Sequence, residues 1–216
     1  MKRGLKVSLS VLGLLLMALA GYETFRVFQA RGQTPALIAA IPIDPDIIHL
    51  PADRVAMLLA VEDPTFWSND GTDFSSPGAG NTTLTQGLAK LLYFPNGFRP
   101  GFDKIELVLI AKFALTPIAG KQAILRAMLA SANLGRDKNG PIAGFSEGAR
   151  RWFGKPLSGL SSDEYLSLVA MLYAPAAMNP VRHPAENAER VRRIKRLLAH
   201  RCAPAGLEDV ELKGCA

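Results

Sequence analysis

Metal-ligating cysteine and histidine are scarce in this 216-residue chain, which has two cysteines and three histidines. His49, His183 and His200 stand far apart and no Cys-x-x-Cys occurs, so no stretch has the ligand spacing of a zinc site, which argues against a zinc enzyme. A phosphate-cradling P-loop is also missing, because Gly154-Lys155 does not complete GxxxxGK[ST]. Charged residues make up 20% of the chain and apolar ones 49%. That leaves too much apolar material for a disordered or collagen-like chain. The length fits one domain with a short appendage and is too small for a two-domain enzyme.

No charge appears between Lys6 and Glu23, and residues 7–22 are strongly apolar. As a helix those sixteen residues rise about 24 Å, just short of a bilayer core of about 30 Å. Leu5 and the snorkelling stems of Lys6 and Arg26 extend the span. A retained anchor is expected; the competing reading is a cleaved signal peptide, since Ala18-Leu19-Ala20 has small-x-small form. Lys2, Arg3 and Lys6 precede the apolar run, which places the N-terminus in the cytoplasm and the rest of the chain outside it. The surplus of 25 Lys and Arg over 19 Asp and Glu would by itself suit nucleic acid, anionic lipid or a phosphate-bearing substrate. Export removes nucleic acid from that set.

The expected organisation is a tip, transmembrane anchor and juxtamembrane segment over 1–31, an extended connector over 32–51, a folded domain over 52–200 and a tail over 201–216. The connector reading rests on Pro35, Pro42, Pro45 and Pro51. In the tail, a Cys202–Cys215 bridge would close a loop of about 14 residues and contribute about 3 kcal/mol in the chain-entropy model. An exported compartment permits that pairing; two free thiols in a frayed tail are the alternative.

Every strong hydrophobic period in the domain is helical. Val55, Leu58, Leu59 and Glu62 fall at i, i+3, i+4 and i+7, so Glu62 ends the buried stripe of a helix that must stop before Pro64. Leu84, Leu88, Leu91 and Leu92 share the face of a second helix, capped by Thr82 or Thr83. Residues 103–116 are apolar almost all round and predict a helix buried in the domain centre, with Glu106 and Lys112 as exceptions. A helix from Lys121 to about Asn133 is followed by a glycine-rich loop over 135–144 and a short helix at 146–155. Ser161 and Glu164 have capping-box spacing ahead of a helix closed by Pro175. The last helix, about 184–200, is strongly basic and reads as a solvated face, or as a contact with an anionic membrane surface.

Glu62 is the strongest candidate for proton transfer. Burial and the negative end of the helix dipole both disfavour its charged form and push its pKa toward the range of a general base. Asp63 is turned away by about 100° and held extended by Pro64. Gln86 and Lys90, four apart, share a helix face with Thr82, Thr83 and Thr85 near its N-terminal turn, a seat suited to a phosphate or pyrophosphate.

In combination these residues resemble the peptidoglycan glycosyltransferases, found as the polymerising half of class A penicillin-binding proteins and as stand-alone, membrane-anchored enzymes. The EDxxF and HxGxD pattern matches Glu62, Asp63, Phe66, Gly71 and Asp73, with Asn69 in place of His. GxSTxTQQLxK matches residues 80–90, with Thr82 for Ser and Gly87 for the second Gln. GxxxAAxxYFGK matches Gly144, Ala149, Trp152, Phe153, Gly154 and Lys155, followed by Leu160, Glu164, Ala174-Pro175 and Asn179-Pro180. In the RKxxE motif Lys104 fits but Glu106 stands one position from the family's acid, and in KxxILExYLN Arg126 and Ala130 replace Glu and Asn.

The resemblance implies a mainly helical, lysozyme-like domain behind an N-terminal transmembrane helix. It also implies growth of glycan strands from lipid II by inverting transfer from a polyprenyl-pyrophosphate donor. Glu62 would be the base, and Glu106 a second acid facing it across the cleft; the structural alternative for Glu106 is pairing with a nearby cation or escape to solvent. Asp63, Thr83, Gln86, Lys90, Arg99, Lys104 and Lys155 would bind substrate. No cofactor is required by this chemistry, with magnesium or manganese as a candidate assistant to the leaving group. The implied partners are lipid II, the growing strand and the bilayer, with a separate transpeptidase as a candidate. The implied place is the inner membrane, with a single pass and the domain on its outer side. The rival readings are a lysozyme-like lytic enzyme and an inactive anchored scaffold.

Overall fold

The computed structural model describes the backbone of residues 2–216 and the side chains of residues 9–216, so the expected roles of Lys2, Arg3 and Lys6 lie outside the described side chains. The first helix, α1 (Lys2–Ala39), contains Pro35. Residues 32–39 therefore correct the expectation of an extended connector. Pro35 removes one backbone hydrogen bond, but tertiary contacts hold these turns: α1 packs against the helices that carry residues 102–131, and Ala30 and Thr34 are buried. The Thr34 hydroxyl bonds to the Ala30 carbonyl at 2.8 Å and to the Tyr93 hydroxyl at 2.6 Å, while Arg31 donates to the Phe113 carbonyl at 2.5 Å. The stretch Leu9–Ala39 is long and apolar enough to cross a membrane.

After a bend come α2 (Pro45–Ile48), with Asp44 as N-cap and Pro45 in the first turn, and α3 (Ala52–Glu62). A loop without regular structure leads to α4 (Leu84–Tyr93), capped by Thr83 through the Gln86 amide. Next is α5 (Phe102–Ile110), continued by a π-helical turn (Ala111–Leu115) into α6 (Thr116–Ala119). Leu107, Ile110, Ala111, Ala114 and Leu115 are buried, but Phe102 is 89% exposed and Ile105 and Phe113 about half exposed. The expected central helix is thus a wall helix with two apolar faces, only one of them covered by protein.

The helix α7 (Lys121–Ser131) is followed by an antiparallel hairpin where a loop was expected, β1 (Asn133–Asp137) and β2 (Gly140–Ala143), with Asp137 opposite Gly140. Gly144 turns the chain back at φ 84°, and a Cβ there would sit 2.3 Å from the Ala130 carbonyl oxygen, so only glycine fits. The short α8 (Phe145–Gly148) runs into a second π turn. Both halves of the Ser161–Glu164 capping box form at the start of α9 (Ser162–Tyr173), and α10 (Pro184–Leu198) packs along α9. One core runs through all of these elements, with Phe66, Leu88, Leu107, Ile124, Leu134, Phe145 and Leu168 buried at its centre.

Candidate active site

The loop after α3 folds back so that the start of α4 lies beside the end of α3. Asp63 fastens the two: its carboxylate accepts the Leu84 amide at 3.0 Å and the Asn69 side-chain amide at 2.7 Å. Burial pushes the Asp63 carboxyl up to about 6, against the pull of the Leu84 amide, Lys121 and Asn69. Asn69, standing where the resembling family has histidine, also accepts from Lys121 at 2.7 Å and from the Gly71 amide at 2.9 Å. Asp73 is buried too, yet bonds from Ser76, Thr65 and Ser75 hold its carboxyl well below the usual range.

This loop, α3, α4, α9 and α10 enclose a cleft of about 520 Å³. Among the described residues Glu62 is the one carboxylate lining it, and no hydrogen bond or ion pair reaches that carboxylate. Burial pushes the Glu62 carboxyl up to about 7, opposed by the positive charge of Arg190 and reinforced by Asp63. A carboxylate so placed can take a proton near neutral pH. Lys90 lines the same cleft with its ammonium 4.6 Å from the centre of the Phe98 ring and no carboxylate partner. Thr83 lines it as well, but its hydroxyl is committed to the Gly71 carbonyl and the Gln86 amide.

Two expected ligand contacts sit one layer back. Gln86 is fully buried, and its carbonyl accepts from the Lys104 ammonium at 2.8 Å. Lys104 also donates to the Asn81 carbonyl at 2.7 Å, which ties it to the cleft-lining segment; burial and the nearby Lys90 charge lower its pKa.

Asp63, expected to bind substrate, is buried at the junction of α3 and α4 and does not line the cleft, and three more expected residues do not reach it. Arg99 is engaged by Asp103 at the start of α5, and Lys155 by Glu164 of the capping box at 2.6 Å. Glu106 corrects the cleft-facing expectation: it is buried against α1, where Arg26 binds it at 2.6 and 2.9 Å. A buried carboxylate in this apolar wall needs a cation, and α1 supplies it.

Arg190 was read from sequence as one cation of a solvated face. It is buried, its guanidinium lies 5.4 Å from the Tyr173 ring centre, and its Nε and Nη1 have no partner. It lines the cleft with Glu62. The available signal was its spacing: Asn187, Arg190, Val191 and Ile194, at i, i+3, i+4 and i+7, form the buried stripe of α10.

No group of three or more His, Cys, Asp or Glu residues among those described could hold a metal ion. With a single carboxylate on the cleft wall the donor set does not suit a divalent cation; protein cations are what face the space.

Residues 44–199 match a family model described as transglycosylase. The chain belongs to the transglycosylase family. It is therefore a member of a family of glycosyl-transferring enzymes, with the helical, lysozyme-like domain expected from its motifs. Penicillin-binding protein 1B of Escherichia coli is 31% identical over 161 residues, 67% of this chain and 18% of the relative. Its counterpart in Buchnera aphidicola is 30% identical over 151 residues, 63% of this chain and 20% of the relative. A Cupriavidus necator protein provisionally named a transglycosylase is 26% identical over 201 residues, 85% of this chain and 84% of that protein. The chain spans about a fifth of the length of the penicillin-binding relatives and most of the Cupriavidus one.

Proposed function

We propose that this protein is a peptidoglycan glycosyltransferase that extends glycan strands from lipid II. The observation that carries the reading is a lone, unpartnered carboxylate, Glu62, in one cleft with the cations Lys90 and Arg190. In the proposed step Glu62 accepts the proton of the acceptor sugar's 4-hydroxyl as that oxygen attacks C1 of the donor sugar. The bond from C1 to the pyrophosphate oxygen breaks, its electron pair leaves with the polyprenyl pyrophosphate, and C1 inverts. Lys90 and Arg190 neutralise the departing charge, and Lys104 adds its charge from one layer behind the wall. A lytic enzyme has no such leaving group, so this cationic wall favours synthesis over cleavage.

The anchor suits substrates with polyprenyl tails, and the uncovered face of Phe102, Ile105 and Phe113 suits contact with the bilayer. The proposed location is the inner membrane, crossed once, with the domain on the outer side and a separate transpeptidase as the cross-linking partner. The scaffold reading draws on one feature, the absence of a second acid from the cleft. A single assay decides: purified full-length protein given lipid II in detergent should form polymer, and the Glu62→Gln variant should not. An inactive wild type that still binds wall-synthesis proteins would favour the scaffold.

A further inference from the structure

Residues 201–216 form a folded knot rather than a frayed tail. Cys202 and Cys215 are bridged, and Leu212 and Cys215 are buried. The Asp209 carboxylate accepts the amides of Ala205, Lys213 and Gly214 at 2.7–2.9 Å. The knot is moored to α9 and α10, because the Tyr173 hydroxyl donates to the Glu211 carboxylate at 2.9 Å and Arg193 to the Glu211 carbonyl at 3.1 Å.

From that mooring it grips the loop before α4. The Gly78 amide donates to the Gly206 carbonyl at 2.9 Å and the Gly80 amide to the Leu207 carbonyl at 3.0 Å, while the Asn81 side-chain amide donates to Glu208. Both glycines have left-handed backbones, and a Cβ would come within 2.6 Å of Pro204 at Gly78 and 2.7 Å of Val210 at Gly80. The gripped loop lines the cleft, and so does Val210 of the knot itself. The same loop offers the Asn81 carbonyl that holds Lys104. All of this knot lies beyond the segment that matches the family model, which ends at 199.

We propose that the disulfide-closed knot is a positioning element of the active site. It forms one wall of the cleft at Val210 and fixes the Gly78–Asn81 segment, and through it Lys104, in the geometry that receives the pyrophosphate donor. Donor affinity then depends on the Cys202–Cys215 bridge. A dithiol reductant opens the bridge by giving up two electrons and two protons, leaving two protein thiols and its own disulfide. This inference rests on the proposed function for its substrate, whereas its structural half does not.

The experiment takes the full-length protein, oxidised or treated with dithiothreitol, beside the Cys202→Ser/Cys215→Ser variant under both conditions. Hydrogen exchange at the Gly78 and Gly80 amides, which needs no activity, should speed up about tenfold or more when the bridge is open. KM for lipid II should rise about fivefold or more with kcat changed less than about twofold, and the serine variant should ignore the reductant. A general structural loss would instead lower kcat through loss of active protein. Unchanged exchange, or an unchanged KM with the bridge open, overturns the proposal. If wild type makes no polymer while exchange responds as expected, the functional reading fails and the clamp stands. If opening the bridge unfolds the domain, oxidised Val210→Trp carries the test: a bulkier wall must raise KM at constant kcat, and an unchanged KM overturns it.

Discussion

A carboxyl group with a pKa near 7 is about half ionised at neutral pH, and in Glu62 that balance comes from burial set against the charge of Arg190. The acidic limb of kcat/KM against pH should therefore turn near pH 7, and Glu62→Gln should lose about 10²-fold or more in polymerisation. Arg190→Gln removes the opposing charge, so its acidic limb should move to higher pH, as steady-state profiles would show. The same shift affects stability. Glu62 holds its proton more tightly folded, at about 7, than at the ordinary value of 4.5. Below about 4.5 both states are protonated and there is no penalty; between there and 7 the unfolded state ionises first, so stability falls as pH rises across that window. Glu62→Gln should thus be the more stable protein at pH 8, by on the order of 2 kcal/mol, and should lose that advantage at pH 4 in denaturant titrations. Glu62 was legible because its position on an apolar stripe forces burial. The role of Arg190 was hidden among the basic residues of α10, although the same stripe argument places it inside. Arg99 pairs with Asp103 four residues on, and Lys155 with the capping-box Glu164 nine residues on; the folded turns around them make these pairs.

At the scale of elements, the helices were legible from period and caps, and of the exceptions one has a local cause and one a tertiary cause. The hairpin at 133–143 is short, and its strands carry Gly135 and Pro141, which weaken any alternating pattern. The helical turns after Gly32 survive Pro35 because α1 docks on the domain, a contact no local rule foresees. That docking makes a prediction about Glu106. Replacing Arg26 by Gln leaves a buried carboxylate without its cation and should destabilise the protein by about 1–3 kcal/mol. Glu106→Gln in addition should cost much less than the sum of the two single changes, giving a coupling of about 1 kcal/mol in a double-mutant cycle. Turnover by Glu106→Gln alone should stay within a few-fold of wild type, leaving Glu62 as the sole carboxylate of the mechanism. Ser161→Ala, which removes half of the capping box on α9, should lower stability by about 1 kcal/mol without changing KM, as thermal melts and steady-state kinetics would show.

For the whole molecule, the feature with the widest reach is the continuity of α1. Its 38 residues measure about 57 Å, of which a bilayer core takes about 30 Å. The remainder is packed into the domain, so cleavage after Ala20 would leave that docked remnant behind; the expected mature protein begins near Met1 and fractionates with membranes. N-terminal sequencing that began at Gly21 would show processing instead. Because the apolar stretch and the docked turns belong to one helix, α1 in a bilayer would act as a mast, fixing the compass bearing of the cleft around the membrane normal as well as its height. Two residues inserted between Leu9 and Ala20 would swing the cleft by about 200° relative to a partner gripping the N-terminal half of the helix, while raising it only about 3 Å. Seven would return it to within about 20° of its starting bearing, about 10 Å higher. A partner that must face the cleft should then tolerate seven inserted residues better than two.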